Sequence, residues 1–118
     1  MTARRTVTVQ TSDHGPVTLP EPEWCLGNHE ASGYRADLSH TGPEHALAYD
    51  DETLLVASLT QDPYATHGPR TPGLYVEQTG YARTLTPEET ELLADALVGH
   101  AAELRVLARK LAALGEGQ

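Results

Sequence analysis

TPEETELLADALVGHAAELRVLARKLAALG, residues 86–115, carries the plainest structural signal in the sequence. Thr86 with Glu89 three positions on makes a capping box, and Pro87 occupies the first helical position, where its fixed φ suits a helix. Glu88, Glu89 and Glu91 crowd the start while Arg105, Arg109 and Lys110 lie near the end, matching the helix dipole. Gly115 is a natural stop. The pattern predicts one helix over 86–114, about 28 residues and hence roughly 42 Å long. A six-residue strand covers only about 20 Å. The helix therefore exceeds any sheet it covers.

Within it, Leu93, Leu97, His100, Leu104, Leu107, Leu111 and Leu114 follow a 4-3-4-3-4-3 rhythm, a heptad seam containing one histidine. Leu93, Leu97 and Leu104 are expected to pack on the chain's own sheet. Leu107, Leu111 and Leu114 are expected to pass the edge of that sheet. An exposed apolar strip there calls for the same helix of a second chain or for a protein partner, so a homodimer or a partner complex through the C-terminal helix is expected.

Working back from the helix, the rest of the chain reads as strands. Thr6 to Gln10 alternates polar and apolar side chains, and Val17 to Leu19 resumes the alternation after the turn Asp13-His14-Gly15-Pro16. Pro20 and Pro22 end it, and a loop runs from Glu21 to Ser32. Residues 34–40 alternate again, with Tyr34, Ala36, Leu38 and His40 sharing one face. Further strands are expected over 45–49, 53–59 and 74–78, the second of these central, with an acidic turn at Asp50-Asp51-Glu52 and a long loop over 61–73. The expected class is α+β: a mainly antiparallel sheet of about five to six strands followed by one long C-terminal helix. Residues 1–118 are expected to form a single domain, with a disordered start over 1–5 and a β-rich part over 6–85.

Composition narrows the function. Seventeen acidic residues against eight basic ones leave a net charge of −9, which argues against nucleic acid as a partner. No apolar run reaches the roughly 18 residues of a membrane span, and no signal peptide is expected from the opening residues. Cys25 is the only cysteine, so an intramolecular disulfide is excluded and a cytoplasmic protein is expected. With no Phe and one Trp, the core must be built largely from Leu, Val, Ala and Tyr, and its stability should be modest. Seven Arg against one Lys, with abundant Ala, Gly and Pro, fits a high-GC bacterial genome.

One constellation has metal-ligand character: Cys25-x3-His29, with His40 following. Thiolate and neutral imidazole are favoured Zn²⁺ ligands, and Gly27 and Asn28 let the loop fold both side chains onto one ion. The fourth ligand is open among Asp37, His45, His14 and a water. Asp37 could serve only at a bulge or strand end, because it lies three residues from His40. His45 would face His40 across a hairpin at about 5 Å between Cβ atoms.

Pro20-Glu21-Pro22-Glu23-Trp24-Cys25-x3-His29-Glu30, then Asp37-Leu38-Ser39-His40-x-Gly42, then the Ala/Leu-rich helix, resembles a family of small uncharacterised actinobacterial proteins over about residues 6–114. The resemblance implies a Trp-Cys-x3-His loop paired with an Asp-x2-His segment, hence a metal set of Cys25, His29, His40 and Asp37, and it implies no known activity.

Two functions compete. The first is a small non-enzymatic binding module with a structural zinc site and a helix for association. The second is a zinc-dependent hydrolase-like enzyme, with a water in an open fourth position and Glu30 as general base. An acidic mimic of nucleic acid ranks below both, since the charge is spread along the chain. No Gly-rich phosphate loop and no Gly-x-Ser-x-Gly elbow is present.

Overall fold

The computed structural model describes residues 5–30 and 33–116. The chain gathers into two compact units, Met1–Pro43 with Leu59–Gly73 and Glu44–Ser58 with Leu74–Gln118.

The first unit opens on a hairpin. Strand β1 (Thr6–Thr11) pairs antiparallel with β2 (Gly15–Pro20), with Val9 opposite Val17 and Thr11 opposite Gly15. Gly15 has φ +60°, which a side chain would resist, and the Thr11 hydroxyl donates to its carbonyl at 2.8 Å. Alternation puts Val9 and Leu19 on the inner face, where they bury with Leu38 against Val7, Val17 and Tyr64. Two short elements follow, a 3₁₀ turn at Arg35–Asp37 and strand β3 (His40–Thr41). β3 pairs antiparallel with the end of a later strand, His40 opposite Gln61 and Thr41 opposite Thr60.

The second unit is a hairpin and a helix. Strand β4 (His45–Tyr49) pairs antiparallel with β5 (Glu52–Gln61), and Asp50 and Asp51 form its two-residue loop with φ of 51° and 63°. Positive φ at both positions is the primed-turn geometry that suits strand twist. Strand β6 (Gly73–Gln78) also pairs with β5, which makes β5 central as expected. Helix α1 (Pro87–Glu116) packs on β4, and the Tyr49 hydroxyl donates to the Glu89 carbonyl at 3.0 Å. Its start is the capping box read from the sequence. The Thr86 amide donates to Glu89 Oε1 at 2.9 Å, and the Glu89 amide donates to Thr86 Oγ1 at 3.2 Å.

The class is therefore α+β, antiparallel sheets followed by one long C-terminal helix. Three expectations are corrected. The strands form two sheets, β1-β2 and a four-stranded one, rather than a single sheet. The strand expected over 34–40 is broken by the 3₁₀ turn at Arg35–Asp37, and only His40 at its end lies in a strand. Asp13 Oδ1 accepts the Arg35 amide at 2.9 Å, and the amides of Asp37 and Leu38 donate back to Tyr34 and Arg35 at 3.0 and 3.1 Å. These bonds take the amides that a ladder would have used. The helix seam is also divided differently. Leu107 is 5% exposed and buried in its own chain, while Leu97 is 48% exposed. His100 and Leu107 lie two turns apart on one line, Leu93, Leu104, Leu111 and Leu114 flank it half-buried, and Leu97 rotates away from it. Residues 1–4 of the expected disordered start lie outside the described residues, whereas Arg5 is placed and bonded. No helix among the described residues is long and apolar enough to cross a membrane.

Candidate metal centre

The first unit brings together Glu21, Cys25, His29 and His40, each offering one donor atom, all within 4.8 Å of one another. β2 ends at Pro20 and delivers Glu21 directly after it. The Glu21 amide donates to the Arg5 carbonyl at 2.8 Å, which continues the β1-β2 pairing by one residue. Arg5 returns with its guanidinium, donating to the carbonyls of Pro22 and Cys25 at 3.1 Å each. The loop is thus tied at both ends of the Pro22–Cys25 turn, where the Cys25 amide donates to the Pro22 carbonyl at 3.0 Å.

Gly27 is required where it stands. Its φ is +82°, and its amide donates to Cys25 Sγ at 3.4 Å. The His29 amide donates to the Gly27 carbonyl at 3.1 Å, which brings His29 back over Cys25. The Leu26 amide donates to the Thr41 carbonyl at 2.9 Å, fastening the loop to β3 and so to His40. Gly42 closes the arrangement from behind. A Cβ there would stand 3.1 Å from the Trp24 carbonyl oxygen and 3.4 Å from the Trp24 ring. Trp24 is buried, and its ring meets that of His40 edge to face at 6.3 Å.

The four donors already interact. His29 Nε2 lies 2.9 and 3.1 Å from the two Glu21 carboxylate oxygens, and His40 Nδ1 lies 2.8 Å from Oε1. Cys25 Sγ stands 3.8 Å from His29 Nε2. The side chains of Glu21, His29 and His40 are 4%, 7% and 2% exposed, so these are bonds made out of water. Burial pushes the Glu21 carboxyl up, but hydrogen bonds from Cys25, His29 and His40 outweigh it and hold the group below the usual carboxylate range. An ionised carboxylate only accepts, so both imidazoles donate to it. Burial pushes the Cys25 thiol above its ordinary value, and the adjacent Glu21 carboxylate adds to the effect. Burial lowers His40, against the opposing pull of Glu21.

The residue types, one thiol, two imidazoles and one carboxylate, could hold a metal ion. Metal–ligand bonds of about 2.0–2.3 Å set the edges of a tetrahedral site at roughly 3.3–3.8 Å. The sulfur-to-nitrogen distance already matches such an edge, and the carboxylate would have to withdraw by about 0.5 Å from the imidazoles to match it too. A bound cation would also reverse the upward push on the thiol, because it favours thiolate.

Cys25, His29 and His40 are thus brought together, and Asp37 is not among them. It is exposed on the 3₁₀ turn, lining a shallow open depression of ≈ 290 Å³ with Asp62 and His67. His14 is exposed and pairs with Asp13 at 2.9 Å. His45 does not face His40 across a hairpin, since His40 lies opposite Gln61 and His45 opposite Ala57. The residue that sequence reasoning missed is Glu21. Its signal was the interval, because Glu21-x3-Cys25-x3-His29 repeats one spacing twice.

A family model matches residues 6–113, which takes in the loop, β3 and most of α1; it is described as a domain of unknown function, DUF6907. The chain belongs to this family. No curated protein and no solved structure matches the chain. The DUF6907 description carries no activity.

Proposed function

We propose that this DUF6907 chain is a small non-enzymatic binding module, in which a structural Zn²⁺ site of Glu21, Cys25, His29 and His40 fastens the loop and α1 serves association with a protein partner. The observation that carries this reading is the convergence of four donors of zinc-binding type, drawn from a loop and a strand, onto one point. Glu21 replaces Asp37 as the fourth ligand in this reading. Four side-chain donors favour a closed, structural site over one with an open position for water. The hydrolytic alternative loses its footing accordingly, and Glu30, its general base, is exposed. The resemblance drawn from the sequence, a Trp-Cys-x3-His loop paired with an Asp-x2-His segment, supports Cys25, His29 and His40. Net charge of −9 supports a protein partner over nucleic acid.

Protein purified without an affinity tag should carry about one Zn²⁺ per chain, lost in Cys25→Ser and Glu21→Ala with a fall in Tm. Asp37→Ala should keep the metal. A metal-free protein whose melting is indifferent to excess chelator overturns the reading.

A further inference from the structure

Helix α1 has a second face. Turned away from the line of His100 and Leu107, Leu92, Val98 and Val106 are 60%, 72% and 54% exposed, and Gly99, Ala102 and Ala113 are exposed among them. Leu92, Gly99, Val106 and Ala113 recur every seven residues, and Asp95, Ala102 and Arg109 fall three residues after the first three of them. That is the interval of a helix–helix seam. Nothing among the described residues crowds Gly99, since an added Cβ would meet no atom within 4 Å beyond its own turn of helix. Glycine weakens a helix interior, so its presence there suits close approach by something else.

Charge says what approaches. Glu88, Glu91 and Asp95 stand on the first half of this face and Arg109 and Lys110 on the second, with Arg105 beside them and Glu103 the one acid near the middle. A parallel copy would set acid on acid and base on base. An antiparallel copy sets acid on base and opposes the two helix dipoles. Asp95 and Arg109 lie seven residues to either side of Ala102. A twofold axis near Ala102 therefore brings Asp95 of one copy level with Arg109 of the other, twice by symmetry, with the small Gly99 and Ala102 at the crossing.

We infer that this face is a self-association surface, and that its occupant is α1 of a second copy of this chain, packed antiparallel with reciprocal Asp95–Arg109 pairs. The inference rests on the reading of α1 as the association element and is independent of the metal. Sedimentation equilibrium of the full chain over a wide concentration range tests it, with Tm recorded alongside. A dimer is expected. Val98→Glu/Val106→Glu should abolish it without lowering Tm of the dissociated chain, since both positions face water. Gly99→Leu should do the same while holding or raising that Tm. Asp95→Arg and Arg109→Asp should each weaken the dimer by about 10-fold or more, and Asp95→Arg/Arg109→Asp together should return it to within about 3-fold of the starting affinity. A dimer indifferent to these changes, or a charge reversal whose two halves simply add, overturns the antiparallel surface and leaves association through some other face. A monomer at every concentration overturns self-association through any face and leaves α1 to a partner of a different kind.

Discussion

The two units bury polar side chains on opposite terms. In the first, Glu21, His29 and His40 are buried together and each ring nitrogen aimed at the carboxylate is used. In the second, His100 is 6% exposed, and neither of its ring nitrogens, nor the Tyr81 hydroxyl, meets a hydrogen-bonding partner among the described residues. The Glu103 carboxylate stands 3.7 Å from His100 Nδ1, beyond hydrogen-bonding distance. A buried polar group left unbonded costs about 1–3 kcal/mol, whereas a bonded one can return that and specify a single arrangement. One unit thus uses its buried histidines to define a geometry. The other carries a histidine in an apolar seam at a loss.

The same substitution should therefore act in opposite directions. His40→Leu takes a donor from a buried carboxylate and should destabilise the chain by about 2–3 kcal/mol, read by urea unfolding followed at Trp24. His100→Leu removes two unbonded nitrogens at similar volume and should stabilise by about 1 kcal/mol. If both destabilise equally, the contrast fails.

Glycine gives a second pair. Gly42→Ala should cost about 1–3 kcal/mol, because the new methyl group stands against the backbone of Trp24, which cannot yield without shifting the loop. Gly99→Ala in the dissociated chain should instead gain about 1 kcal/mol from helix propensity alone. Equal and small effects at both would show that the loop is softer than its bonding indicates.

Two smaller effects belong to the helix start. Thr86→Ala should lose about 1 kcal/mol of stability by removing the cap. Glu89 is held below the usual carboxylate range first by the Thr86 amide and then by its hydroxyl. A depressed folded value means that this contribution is complete above the ordinary carboxylate pKa, about 4.3, and is lost as pH falls through the lowered one. Glu89→Gln should accordingly flatten part of the acid loss in a plot of Tm against pH and change little at neutrality.

Helix, hairpins and acidic turn were legible because their causes are local. The capping box needs Thr86 and Glu89 alone, and the Asp50-Asp51 loop needs only two residues able to take positive φ between two apolar runs. The 3₁₀ turn was not legible, because it depends on Asp13 arriving from another part of the chain to take the Arg35 amide. Three members of the cluster were visible as Cys25, His29 and His40, since those residue types announce themselves. Glu21 did not, because an acid between two prolines reads as a solvated loop, and its burial follows from β2 ending one residue before it. Leu97 and Leu107 exchanged roles for a similar reason, since seam spacing fixes which residues share a face but not where along it the sheet lies.

The chain positions of the four donors bear on the order in which the molecule assembles. Glu21, Cys25 and His29 fall within nine consecutive residues, and His40 is eleven further on. Closing the longer of these loops rather than the shorter adds only about 0.6 kcal/mol per doubling of length. The pairing of β3 with β5 instead joins residues about twenty apart, and the β4-β5 hairpin and α1 come later in the chain. A growing chain has therefore completed its cluster of donors before the strand that pairs with β3 and before any of the helix exist. The order of synthesis supplies the four donors first and leaves the helical half of the molecule to follow.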